Sequence, residues 1–154
     1  MQRTTMRLAA ALAGVVLIGG TAALAVGATP EAIIKERRAG FKEQGQDFKA
    51  MNEAIKAGED VKSLAGKAGY IAGWAQKFPA MFPPGTEKGG GTHAKPVIWS
   101  ERAGFDKLAS ELHNAAMKLQ STAESGDKAA FAAQFKATGK VCGQCHDKYR
   151  YKIS

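Results

Sequence analysis

The stretch PEAIIKERRAGFKEQGQDFKAMNEAIKA, residues 30–57, predicts one long amphipathic helix and indicates an all-α protein. Its large apolar residues recur mostly at intervals of three, four and seven, which places them on one face of a helix. These residues are Ile33, Ile34, Phe41, Phe48, Met51 and Ile55. Thr29 is a suitable cap for the first turn, and Pro30 suits the first helical position.

Three more amphipathic segments follow this helix. We expect them over residues 61–78, 96–124 and 128–151, separated by glycine- and proline-rich stretches. No segment has the alternation of a strand, and no internal repeat occurs. Four amphipathic helices in one chain predict an antiparallel four-helix bundle.

The stretch between the second and third helices, residues 79–95, is predicted to be one long loop. It contains three prolines and four glycines in 17 residues. Loops of this length are unusual in a small domain and are often functional.

The N-terminal segment is typical of a secretory signal peptide. Arg3 and Arg7 precede 19 uncharged residues (8–26), and small residues follow. Cleavage fits after Ala25 or after Ala28, and we prefer Ala28. The predicted organisation is a signal peptide at 1–28 and one domain at 29–154 that functions in the periplasm. The alternative is an uncleaved membrane anchor, because 19 residues just span a bilayer.

The mature chain is basic. Without Arg3 and Arg7 it has 20 lysines and arginines against 14 acidic residues, a formal charge of +6. The basic residues are spread along the chain and are not interleaved with aromatic residues, so no nucleic-acid partner is predicted. A solvated basic surface that meets an acidic protein partner is the preferred interpretation.

Both cysteines belong to one motif, Cys142-Gly143-Gln144-Cys145-His146, the pattern of c-type haem attachment. Positions i, i+3 and i+4 share one face of a helix. Two thiols can then reach the two vinyl groups of a porphyrin while the imidazole reaches the iron. The motif predicts one haem c, held by two thioethers with His146 as metal ligand, near the C-terminal helix.

Three other interpretations of the cysteines were weighed. A thioredoxin-type pair is expected at the start of a helix near a βαβ unit, not in the last helix. A structural zinc site needs four ligands, and the chain has two cysteines. A disulfide between residues three apart on a helix is poorly placed geometrically.

With these motifs, the chain resembles the cytochrome c′ family over nearly all of its mature length. The likeness is carried by VCGQCHDKYR at 141–150, FPPGTE at 82–87, KPVIW at 95–99 and RRAGF at 37–41. The resemblance implies a four-helix bundle with a five-coordinate haem whose only protein ligand is His146.

The resemblance also implies roles for other residues. Phe41 would shield the sixth coordination site, and Arg150 would lie beside the proximal imidazole. Arg37, Arg38 and Thr92 would lie near the haem propionates, although position 38 is usually glutamine in the family. A subgroup with methionine at the shielding position forms a low-spin six-coordinate haem, and Phe41 argues against it.

The remaining methionines, histidines and tryptophans are predicted to have structural roles and not to bind a metal or cofactor. Packing roles are expected for the methionines, surface positions for the histidines and core positions for the tryptophans. The residues concerned are Met51, Met81, Met117, His93, His113, Trp74 and Trp99.

The predicted function is electron transfer and the binding of small neutral gases, with nitric oxide sequestration as the concrete role that the resemblance implies. We expect a crowded apolar ligand side without a hydrogen-bond donor, which favours nitric oxide and carbon monoxide over dioxygen. No enzymatic activity is predicted. The alternatives are a low-spin electron carrier and a haem enzyme acting on peroxide or nitric oxide. The predicted partners are an unidentified redox protein and, since family members are often dimers, a second copy of this chain.

Overall fold

A computed structural model describes residues 28–152 as helices joined by turns and one long loop. The helices are α1 (Pro30–Ala57), α2 (Ala65–Lys77), α3 (Val97–Ser100), α4 (Arg102–Ser125) and α5 (Lys128–Tyr149). Single 3₁₀ turns occur at Lys62–Leu64 and Phe78–Met81, at either end of α2.

Local chemistry explains where the long helices begin and end. The Thr29 hydroxyl accepts a hydrogen bond from the backbone N–H of Ala32 at 3.2 Å, and the Asp127 carboxylate accepts one from Ala130 at 2.9 Å. Both are N-cap interactions. Gly58 ends α1 in the left-handed region (φ 68°), where glycine has no steric penalty.

The predicted antiparallel four-helix bundle is confirmed, with α1, α2, α4 and α5 as its members. Helix α4 packs against both α2 and α5, and α1 packs mainly on α2. The centre of the bundle is formed by fully buried apolar side chains. They include Met51, Ile71, Phe78, Leu119 and Phe131.

The third predicted helix is interrupted in the structure. We expected one helix over 96–124, but the chain bends at Glu101 (φ −117°, ψ 45°) between α3 and α4. The bend lets α3 pack on the preceding loop, where the Trp99 indole N–H donates to the Pro83 carbonyl at 3.2 Å. Trp99 is partly buried against the core, as predicted.

The last helix ends two residues earlier than predicted. Arg150 is extended and forms an isolated antiparallel bridge with Ala94. The Lys95 N–H donates to the Tyr149 carbonyl at 2.9 Å, and the Tyr151 N–H donates to the His93 carbonyl at 2.8 Å. The end of the long loop therefore pairs with the chain just after α5.

Within residues 28–152, no helix is both long and apolar enough to cross a membrane. The predicted signal peptide spans residues 1–28, and residues 1–27, which also contain the alternative membrane anchor, lie outside the described part of the chain.

Helix α1 approaches α2 closely at Gly40. A Cβ atom at this position would lie 2.3 Å from the ring of Trp74, which is itself buried. We expect Gly40→Ala to lower the free energy of unfolding by about 1–3 kcal/mol, because the indole must move. Urea denaturation of the purified protein measures this change.

Gly73→Ala in α2 is the matched control. A Cβ atom there meets nothing within 4 Å, so the substitution should stabilise the helix by about 0.5–1 kcal/mol. If both variants gain stability, the contact between Gly40 and Trp74 does not limit the packing of α1.

Candidate functional site

The Cys-x-x-Cys-His motif lies in the last turns of α5. Cys142, Cys145 and His146 are partly buried, and all three line the same cavity because their spacing puts them on one helix face. The two cysteines are not joined in a disulfide. The structure thus brings two thiols and one imidazole to a single wall.

The cavity that these residues line has a volume of about 670 Å³. It lies between α1 and α5 and is bounded by the loop that precedes α3. Protein interiors contain few voids larger than a water molecule, and volumes of several hundred cubic ångströms are typical of ligand sites. The apolar part of its wall consists of Phe41, Phe78, Phe82, Ile98, Phe105 and Leu112.

The thiols of the motif are poor nucleophiles in this environment. Burial raises the pKa of Cys142. Burial and the neighbouring Cys142 raise the pKa of Cys145 to about 11, against the opposing charge of Arg150. Dithiol oxidoreductases depend on a lowered thiol pKa, so this pair lacks the electrostatics of a thioredoxin-type site.

The imidazole of His146 is kept neutral. Burial lowers its pKa, and the positive charge of Arg150 lowers it further, while Asp147 opposes both. A neutral imidazole is the form that binds metals. Arg150 also lines the cavity, and its positive charge acts on the pKa of the His146 imidazole.

Arg37 fastens the long loop to α1. Its side chain is only 2% exposed. One terminal nitrogen donates to the Met81 carbonyl (3.1 Å) and the Thr86 hydroxyl (3.0 Å). The other donates to the Thr86 carbonyl (2.8 Å) and the Thr92 hydroxyl (2.7 Å). The guanidinium also lies 4.3 Å from the ring centre of Phe82. All four bonds reach the loop, a role that the sequence did not indicate.

Arg38 contacts the same loop from the solvent side. It is exposed and donates to the Gly90 carbonyl at 2.7 Å. With it, every residue predicted for the site lies on the wall of this one cavity. These residues are Arg37, Arg38, Phe41, Thr92, Cys142, Cys145, His146 and Arg150.

Phe41 is held in an aromatic cluster on the α1 side of the cavity. Its ring centre lies 5.6 Å from that of Trp74, in an edge-on arrangement, and 5.1 Å from that of Phe78. Phe82 follows at 6.4 Å. These contacts restrict the ring to the position from which it faces the cavity.

The polar residues of the cavity wall that sequence reasoning missed include Gln44. It lies on α1, lines the cavity and is 8% exposed, and its amide oxygen has no hydrogen-bond partner. Its spacing was the available signal, because it follows Phe41 by three residues and Arg37 by seven. A polar residue on an otherwise apolar stripe marks a position with a specific partner.

Most of the remaining methionines and histidines lie where the sequence predicts. Met51 is fully buried and Met81 packs against the core, but Met117 is 46% exposed, so its predicted packing role is wrong. His93 is exposed and also borders the cavity. His113 is half-buried, with Nδ1 3.0 Å from a backbone carbonyl of α2.

Comparison with known proteins identifies the family. The family model described as Cytochrome C' matches residues 32–150. The chain belongs to the cytochrome c′ family. It is 33% identical over 148 residues to cytochrome c′ of Rhodospirillum rubrum, an alignment that covers 94% of this chain and 97% of the relative.

Solved structures of cytochromes c′ share the fold. One cytochrome c′, described as having an unusual ligand-controlled dimer dissociation, superposes with a TM-score of 0.77 at 30% identity, covering 82% of this chain and 99% of that one. The nitric oxide complex of a leucine-to-alanine mutant from Alcaligenes xylosoxidans superposes with a TM-score of 0.73 at 30% identity, covering 82% and 98%.

The hydrogen bonds of Arg37 generate a prediction for the loop. Arg37→Lys keeps the positive charge but cannot make four forked bonds, so buried acceptors lose their donors. We expect the free energy of unfolding to fall by about 1.5–3 kcal/mol, with faster amide hydrogen exchange over residues 82–92.

Arg38→Lys is the control, because this exposed side chain makes a single bond and its loss should change stability by less than about 0.5 kcal/mol. Equal effects of the two substitutions on stability and exchange would show that the loop does not depend on Arg37.

Proposed function

We propose that this cytochrome c′ is an exported c-type cytochrome that binds one haem c, takes up nitric oxide and carbon monoxide, and exchanges electrons with an acidic redox protein. The observation that carries the proposal is that Cys142, Cys145 and His146 line one wall of a large apolar cavity. The bound haem would supply the redox change and the coordination site for the gas.

The residues present fit this cofactor. Each thiol would add across a vinyl double bond, so that sulfur bonds one carbon and the thiol hydrogen goes to the other. The neutral imidazole of His146 suits the binding of the iron. Six apolar side chains provide a low-polarity surround. Arg37, Arg38 and Thr92 border the cavity as the residues proposed to lie near the propionates, and Arg150 borders it as the proposed neighbour of the His146 imidazole.

The positions of Phe41 and of the methionines support the proposal that the iron has a single protein ligand. Phe41 cannot ligate a metal, and it lines the cavity from α1, whereas the motif lines it from α5. Met51 and Met81 belong to the core, and Met117 is exposed and absent from the cavity wall. His146 therefore remains the proposed single protein ligand.

The proposal places the mature protein, residues 29–154, in the periplasm after removal of residues 1–28. The basic and then apolar N-terminal sequence supports export. The solved relative with ligand-controlled dimer dissociation supports a homodimer for this chain too. The nitric oxide complex of another relative supports gas binding.

Optical spectra of the ferric and ferrous protein, with and without carbon monoxide and nitric oxide, test the proposal. We expect both gases to change the ferrous spectrum, with no methionine–iron band in the ferric state. His146→Ala should abolish this spectrum, whereas His113→Ala, which is outside the cavity, should leave it unchanged.

Two results would contradict the proposal in different ways. A methionine–iron band together with a ferrous spectrum unaffected by carbon monoxide indicates a low-spin electron carrier. Sustained peroxide turnover indicates a haem enzyme, which requires an acid–base pair near the ligand site.

A further inference from the structure

Gln44 is a buried polar group that the packing of the bundle leaves without a partner. Its side chain is 8% exposed, and its Oε1 atom is inaccessible to solvent and makes no hydrogen bond within the described residues. A buried unpaired amide costs about 1–3 kcal/mol, and such groups in native proteins almost always have a protein, water or ligand partner.

Three other polar residues of the cavity wall, Arg37, Arg38 and Thr92, already have hydrogen-bond partners within the protein. The terminal nitrogens of Arg37 donate to the loop, and Arg38 donates to the carbonyl of Gly90. The Thr92 hydroxyl accepts from both Arg37 and the Ala94 N–H. Gln44 lines the same wall, and its Oε1 atom has no such partner.

The position of Gln44 on α1 identifies that partner. It lies three residues after Phe41, so the two side chains share a helix face. Both line the cavity that α5 borders with His146. Gln44 thus lies on the same wall as Phe41, the residue that would shield the gas-binding site of a bound haem.

We propose that the Gln44 carboxamide donates a hydrogen bond to the outer atom of a small diatomic ligand, such as carbon monoxide or nitric oxide, held on the Phe41 side of the haem. This inference rests on the function proposed above. The unpartnered atom in the structure is the oxygen, whereas a bound diatomic accepts hydrogen bonds, so the proposal has the amide turned by about 180° with an N–H group in the place of Oε1. The terminal torsion of glutamine is broad and two-fold and allows this turn.

On this proposal the ligand side would contain one hydrogen-bond donor, whereas the sequence analysis expects none. Phe41 would limit the size of the ligand, and Gln44 would slow its release through a hydrogen bond to its outer atom. The donors near a haem ligand decide which gases are held and for how long.

Infrared spectroscopy of the ferrous carbon monoxide complex tests the inference through Gln44→Leu, which keeps the side-chain volume and removes the donor. A donor to the outer oxygen weakens the C–O bond, so the variant should show a higher C–O stretching frequency. Carbon monoxide should also dissociate about two- to tenfold faster, the equivalent of one net hydrogen bond.

Gln46→Leu is the matched control, because Gln46 is exposed on the same helix and does not line the cavity. It should change neither value. An unchanged stretch and dissociation rate in Gln44→Leu would overturn the inference while leaving the proposed function intact.

A second measurement needs no variant. Transfer of the unaltered protein to D₂O exchanges the amide protons and should shift the C–O stretch if an N–H donor contacts the ligand. Identical spectra in the two solvents would overturn the role of Gln44. Failure to form any carbon monoxide complex would overturn the proposed function and this inference together.

Discussion

The separation of α1 from α5 is the constraint on which the site depends. These two helices make few direct contacts, and the cavity of about 670 Å³ lies between them. Helix α4 packs on α5, and α2 on α1, so the α2–α4 contact holds the two walls at their distance. Arg37 then fastens the loop at the border of the cavity through four hydrogen bonds to Met81, Thr86 and Thr92. The helix packing and the fastened loop together form the cavity that the Cys-x-x-Cys-His motif lines.

The helices and the motif were predictable because they depend on local spacing. Apolar residues at intervals of three and four determine a helix face wherever the chain is placed. Thr29 and Asp127 cap their helices through atoms only three residues away. The same locality puts Cys142, Cys145 and His146 on one face of α5 before any tertiary contact is known.

The features that sequence reasoning missed depend on contacts between distant residues. The bend at Glu101 accompanies the packing of Trp99 on the loop, and α5 ends at Tyr149 where Lys95 donates to its carbonyl. Arg37 donates hydrogen bonds to residues that follow it by 44 to 55 positions in the sequence. Periodicity carries no information on such pairs. Gln44 is a different case. Its position on the helix face of Phe41 follows from the sequence spacing, and only the lack of a hydrogen-bond partner depends on the tertiary structure.

The central claim is that Cys142 and Cys145 hold a porphyrin covalently in this cavity. Extraction of the exported protein with acidified acetone measures this directly, because the solvent removes a haem that is held by coordination alone. We expect the pigment to stay with the polypeptide, and to be lost from a variant with both Cys142→Ala and Cys145→Ala. Pigment that leaves the unaltered protein, or a purified protein without pigment, would contradict the account.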